Sequence, residues 1–298
     1  MSVAEAEAAE LSLEDQSGLW RDAFERLRRN PGAIAGALII VAFAAVAVFA
    51  PALAPHGPNQ QVGRLAAVPP GPSAEFPLGL DQQGRDVLSR IIFGARLSLL
   101  VGVVSAGVGL TIGMVLGSVA GYFGRWVDTA VMRTMDLMLA VPQFLLALAI
   151  VTALGPGLVQ IMVAVGIANV PQFARLLRGS ILAQREADYV LAARSLGAPG
   201  RRLLLAHILP NSIAPVIVQG TLAMATAIID VAGLSFLGLG PADPRLTEWG
   251  KMVAENAGRL ESAPHLVLFP GFAIVISVLG LNLIGDGLRE ALDPKLKS

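Results

Sequence analysis

The chain has 298 residues, 54% of them hydrophobic and only 15% charged, too apolar a composition for a soluble domain of this length. Its 22 basic and 22 acidic residues cancel, so no overall field favours nucleic acid, and without cysteine there is neither a disulfide nor a thiolate site. Most of the chain must be solvated by lipid, with room for six spans of about 20 residues each but not for a large soluble domain besides.

Residues 1–30 are rich in Ala and Glu as far as Asp15 and then basic at Arg21, Arg26, Arg28 and Arg29. Basic residues this far along, followed by a full-length apolar run with no clear cleavage site, predict a tail and not a signal peptide. Apolar runs predict spans at 32–53, 97–121, 137–154, 158–173, 213–239 and 266–288. The expected fold is all-α and polytopic with six transmembrane helices. It divides into a tail (1–30), a six-span domain (31–290) and a short C-terminal tail (291–298).

If the N-terminus is cytoplasmic, the inner segments hold fifteen basic residues and the outer loops six (Arg64, Arg85, Arg90, Arg245, Lys251 and Arg259), while Gly155-Pro156-Gly157 is an uncharged outer turn. The positive-inside rule therefore predicts both termini in the cytoplasm. Glycine stands at 109, 113, 117 and 121 of the second span, an every-fourth row that predicts a packing seam in preference to a conduction path. Trp20, Trp126 and Trp249, near predicted span ends, are expected to anchor at the headgroup level, as are Tyr122 and Phe123. Asp136 and Arg133 are spaced for a local i, i+3 ion pair. His56, His207 and His265 are too scattered for a metal site.

Between the fourth and fifth spans lie about 40 residues, 174–213, far more than a helix connection needs. Tyr189, Ala192, Ala193 and Leu196 fall at i, i+3, i+4 and i+7 of a short helix, and Gly197 can end it in a left-handed C′ conformation. Pro199 suits the first turn of a second helix, so the segment reads helix, tight turn, helix. Arg201 and Arg202, opening that second helix, oppose its dipole and are better suited to lipid phosphate or an acidic partner.

These residues resemble the EAA-type cytoplasmic loop of binding-protein-dependent ABC transporter permeases. Ala192-Ala193, Gly197 and Leu209-Pro210 match its spacing, with Leu191 at the position of the eponymous Glu and His207 where the pattern is apolar. Asp188-Tyr189-Val190, Ala192-Ala193-Arg194, Gly197 and then His207 to Asn211 resemble the dipeptide, oligopeptide and nickel branch. Asp81 to Arg90, Gly94 to Leu99, Leu234 to Gly240 with Trp249-Gly250, and Asn282 to Pro294 are similar to other segments of its C-type subunits, so the likeness covers about 20–298.

The resemblance implies a type I importer permease in the bacterial plasma membrane. Its partners would be a second homologous permease, two ABC ATPase subunits, an extracytoplasmic substrate-binding protein and the lipid bilayer. The imported solute would be a peptide or a similarly handled nickel complex, opine or glutathione. The ATPase-coupling loop would be carried by Asp188, Tyr189, Ala192, Ala193, Arg194, Gly197 and Pro210. The chain has no G-x-x-x-x-G-K-[ST] loop, so no cofactor is expected in it, and ATP and Mg would be bound by the partner ATPases.

Asp230 stands inside the fifth span, where a carboxylate is costly unless it faces a cavity or partner, and is a possible translocation-path residue. Members of this family place their acidic residue one position later. An intramembrane hydrolase is disfavoured because neither G-x-S-x-G nor H-E-x-x-H occurs and no histidine lies in a span. A stand-alone channel or carrier would explain the spans but not the 40-residue loop.

Overall fold

The computed structural model describes residues 19–66, 68–241 and 243–292. The acidic segment 1–18 and residues 293–298, expected to be cytoplasmic, lie outside the described residues. The described chain is helical, with only isolated bridges Gln61 to Arg85 and Leu80 to Asp86 in the loop before the second span.

An amphipathic helix α1 (Leu19–Leu27) precedes the first span, where a plain tail was expected. Its Ala23 is buried and its Leu27 reaches the glycine step at Gly287 near the end of the last helix. The first span is α2 (Pro31–Val48), with Pro31 at the first turn and the Asn30 side chain accepting from the Ala33 amide, followed by a one-turn α3 (Ala50–Leu53). The second is α4 (Val87–Phe123), 37 residues or about 55 Å, long enough to project beyond the hydrocarbon; Asp86 caps its start.

The third span departs from expectation. Instead of one helix over 137–154 there are two, the amphipathic α5 (Arg125–Leu139) and the apolar α6 (Gln143–Leu154), bent by 93° at the break. Pro142 is the cause: the residue before a proline is driven out of the helical region, and Pro142 itself has ψ 133°. The fourth span, α7 (Leu158–Arg185), continues past 173 into the long loop expected from the sequence, carrying Pro171 without interruption. Next come α8 (Asp188–Ser195) and α9, which runs through Gly200–Arg202, a widened stretch Leu203–Ile208 and Leu209–Ser212. The fifth span, α10 (Ala214–Leu234), unwinds into Ser235–Leu239; α11 (Trp249–Asn256) is a short helix in the connection that follows; α12 (His265–Leu292) is the sixth span. Among the described residues, five helices are long and apolar enough to cross a bilayer, and the bent pair α5–α6 makes the sixth crossing if it counts as one span.

Lipid tails are as apolar as leucine, so the bundle is held by close packing more than by hydrophobic burial. The glycine row is its main seam. A Cβ on Gly117 would lie 2.6 Å from the Ala174 carbonyl oxygen, one on Gly109 2.8 Å from the Gly166 carbonyl oxygen and one on Gly121 2.9 Å from the Ile181 side chain. This side of α4 thus lies directly on the backbone of α7, in agreement with the packing reading. Gly36 of α2 and Gly280 of α12 form a second close approach.

Two local expectations fail. Trp249 is no headgroup anchor: it is fully buried, packs edge-on against Phe43 and donates its indole N–H to the Ile91 carbonyl at 3.0 Å. Gly94 leaves the space for that indole, a match no spacing rule reveals. Asp136 pairs not with Arg133 but with Arg175 of α7, 2.6 Å away, because the bend turns α5 toward that helix.

Candidate functional site

The loop between the fourth and fifth spans folds as an elbow. After α8, Gly197 takes φ +80°, the left-handed conformation that disfavours a Cβ. The Ala198 amide donates to the Ala193 carbonyl at 3.1 Å and the Gly197 amide to the Arg194 carbonyl at 3.0 Å, the bond pair of a Schellman stop. Pro199 sits just before the second helix, at its N-cap and not in its first turn. Within α9, Pro210 lacks an N–H and its ring would collide with the carbonyl four residues back, so the helix widens ahead of it and the Leu209 amide bonds to Leu204, five residues back.

Val190, Leu203 and Ile208 are buried against Leu177 and Ile181 toward the C-terminal end of α7 and seat the elbow. Tyr189 pins it further. Its hydroxyl donates to Gln184 Oε1 at 2.6 Å, and partial burial raises its pKa against the lowering effect of a hydrogen bond from Asn211. Tyr122, expected in the headgroup belt, instead closes on Gly200, where any side chain would strike its hydroxyl. Arg185 donates to the Gly121 and Tyr122 carbonyls at 2.9 and 3.2 Å, and Arg178 clamps Asp128 with two hydrogen bonds.

Of the predicted coupling residues, Ala193 turns inward onto the elbow's core, whereas Asp188, Tyr189, Ala192, Arg194, Gly197 and Pro210 are exposed. The predicted face therefore splits: Tyr189, Ala192 and Leu196 point outward while Ala193 supports them. Leu196, at the tip, is 89% exposed, a large apolar side chain held out on a fixed turn. Asp188 in the first turn and Arg194 in the last both complement the α8 dipole.

Asp230 lies apart from the elbow and is half-buried on α10. It is the end of a side-chain chain the sequence did not reveal. Gln143, the first residue of α6, donates to Asp230 Oδ2 at 3.2 Å and to Asn169 Oδ1 at 3.3 Å. Gln172 of α7 donates to Gln143 Oε1 at 2.7 Å, and Gln219 of α10 donates to Gln172 Oε1 at 3.0 Å. A cleft of about 610 Å³ opens beside Gln172 and Gln219, bounded also by Arg175, Gly179 and Pro215. Each of these amides is a lone polar residue in an apolar run, and only that oddity could have marked them in advance.

Beyond the C-terminal end of α10, Glu248 is almost fully enclosed. It accepts from the Gly250 and Lys251 amides at 2.7 and 2.8 Å, and from the Ser235 and Ser98 hydroxyls at 3.3 and 3.5 Å. It thereby ties α4, α10 and α11 together, and burial raises its pKa despite those bonds. Arg90, equally buried, bonds Asp81 at 2.7 Å and fixes the loop before α4.

The site thus consists of a bundle of apolar helices with an exposed elbow at one end and a chain of polar side chains between α6, α7 and α10. Residues 113–298 match the family of binding-protein-dependent transport system inner membrane components, and residues 18–70 match the N-terminal TM domain of oligopeptide transport permease C. The dipeptide transport system permease protein DppC of Alkalihalophilus pseudofirmus is 49% identical over 94% of this chain and 91% of its own. The di/tripeptide transport system permease protein DppC of Pseudomonas aeruginosa is 45% identical, covering 93% of each chain. The glutathione transport system permease protein GsiD of Pectobacterium atrosepticum is 43% identical over 94% of this chain and 92% of its own. The chain belongs to the binding-protein-dependent ABC importer permeases: it has their type I fold and is a transport subunit of the inner membrane, not an enzyme.

Proposed function

We propose that this chain pairs with a second homologous permease to carry peptides, or a related small solute such as glutathione, an opine or nickel, into the cell by ATP-driven alternating access. Both termini are cytoplasmic, ATP and Mg are bound by two partner ATPases, and an extracytoplasmic binding protein delivers the solute. The names of the peptide and glutathione relatives support the solute class.

Energy enters through the loop 174–213. The observation that carries this is the geometry of the elbow: Asp188, Tyr189, Ala192, Arg194, Gly197 and Pro210 lie on its exposed surface around the protruding Leu196, while Ala193 and Val190 anchor it to α7. Closure of the ATPase pair around that tip would push on α7 through Leu177 and Ile181 and tilt the helices beyond. Such coupling requires the inward and outward states to differ in contact energy at this seat. Asp230 lines the path.

The chain has no native thiol, so Leu196→Cys is a unique probe. In the assembled importer it should cross-link to a cysteine in the ATPase groove, with a yield that changes when ATP is added. A yield no higher than that of a cysteine at Gln60, on the opposite side in this reading, would refute the assignment.

A further inference from the structure

Gln143, Gln172, Gln219 and Asp230 are each only partly buried, yet they lie on helices of the membrane bundle. Hydrocarbon cannot satisfy an amide or a carboxylate, so the side they share must meet water or polar groups and not lipid chains. Thr226, four residues before Asp230 and thus on the same face of α10, is exposed. The hydrogen bonds have a direction. Each glutamine donates toward the next, and the chain ends with two N–H bonds from Gln143, one of them to Asp230 Oδ2. Asp230 Oδ1 has no partner among the described residues. At the cytoplasmic end, the cleft that holds Gln172 and Gln219 is also lined by Arg175. The face therefore runs from a carboxylate, through amides, to the Arg175–Asp136 ion pair.

We propose that Asp230 accepts the ammonium group of the solute in transit, and that the glutamines beside it serve the solute's amide bonds, so that the face selects amide-bearing solutes with a free ammonium group after the binding protein has released them. The proposal rests on the reading of this face as the path and adds to it a charge preference. The three glutamines position the carboxylate: Gln143 holds one of its oxygens and leaves the other free for a cation. A neutral Asn at 230 could still accept from Gln143, so Asp230→Asn removes the charge while leaving the hydrogen bond possible.

The test uses the complete importer in proteoliposomes, with Thr226→Cys as its only permease thiol, and compares a cationic trimethylammonium-ethyl methanethiosulfonate with its anionic sulfonato-ethyl counterpart. Thr226 lies about 6 Å along the helix from Asp230, and the length of the reagent sets its own charge at about 12 Å, where at an effective dielectric near 20 a unit charge raises the local concentration of a monovalent cation and lowers that of an anion by about tenfold each. The cation-to-anion ratio of labelling rates should therefore fall by about a hundredfold in Thr226→Cys/Asp230→Asn, and Asp230→Glu should restore it. Dialanine, but not N-acetyl-dialanine, should slow the cationic reaction in the Asp230 protein. No labelling by either reagent would show that the face is closed to water and would overturn the path reading itself. Labelling with a ratio indifferent to the charge at 230 would leave the path standing and overturn the cation station. Equal effects of the two peptides would overturn the solute class.

Discussion

Replacing Gly197 by Val tests the elbow most directly. A Cβ at this position meets nothing within 4 Å, so the substitution adds no tertiary clash and its whole cost comes from the backbone at φ +80°. For a residue with a Cβ the left-handed region costs about 1–2 kcal/mol, and a β-branched side chain is the worst case. Relaxing that strain means rotating out of the turn, which gives up the two bonds that Gly197 and Ala198 make to Arg194 and Ala193, each worth about 0.5–1.5 kcal/mol. Either route amounts to a few kcal/mol at most. That is small against the packing of six spans, yet enough to change the population of a local state by a factor of about 5–30. The displaced part would be α8 and Leu196, the surface proposed to meet the ATPase. Membrane abundance of Gly197→Val should equal that of the wild type on immunoblots, while co-purification of the ATPases or hydrolysis stimulated by loaded binding protein should fall severalfold, and uptake with it. Gly197→Asn should be milder because Asn tolerates the left-handed region. Wild-type uptake by the Val protein would remove the elbow from the coupling path. Equal defects in Asn and Val would refute the backbone argument.

Gly117→Ala should destabilise the purified protein in detergent by about 1–3 kcal/mol, because the new methyl meets the Ala174 carbonyl oxygen at 2.6 Å and only a shift of the helices can relieve it. The control is Gly107→Ala on the same helix, with nothing within 4 Å, which should be neutral or stabilising by up to about 1 kcal/mol; equal melting shifts would discredit the seam. Cysteines placed singly at Gln60 and Arg201 should be labelled in intact cells by an impermeant thiol reagent at Gln60 and not at Arg201, and the reverse pattern would invert the topology. Burial raises the folded-state pKa of Glu248 above its unfolded value of 4.5, so the folded protein binds the proton more tightly and stability falls as pH rises through that window. Melting temperatures measured from pH 7 downward should therefore climb more in the wild type than in Glu248→Gln, and parallel curves would contradict the burial argument.

What could be read in advance was whatever is written in consecutive residues. The apolar runs, the glycine row and the Ala192-Ala193, Gly197 turn are local patterns, and each appears in the structure, although the second and fourth helices extend well beyond their apolar runs and the third is broken. Burial within the elbow was harder. On a helix of only eight residues the inward side is set by where α7 lies, and Val190, not Tyr189 or Ala192, faces it. Trp249 misled for a related reason: its position near a span end suggested an anchor, but Gly94, 155 positions earlier, makes the pocket that encloses it.

The break in the third span explains why the polar face stayed hidden. Hydropathy averages over a window and is blind to direction, so residues 137–154 read as one span although Pro142 turns the chain by 93°. That turn does more than shorten a helix. It makes Gln143 the first residue of α6, within reach of Asn169 and Gln172 on one side and Asp230 on the other. These partners lie 26, 29 and 87 positions away in sequence, so no motif links them. A charge at membrane depth is conspicuous because it is the most costly group to strand there, and Asp230 alone drew notice for that reason. A glutamine costs less and passes as an exception within an apolar run. Three on separate turns of three helices are no longer exceptions once the fold joins them, because each satisfies the next and the last leaves a carboxylate oxygen open.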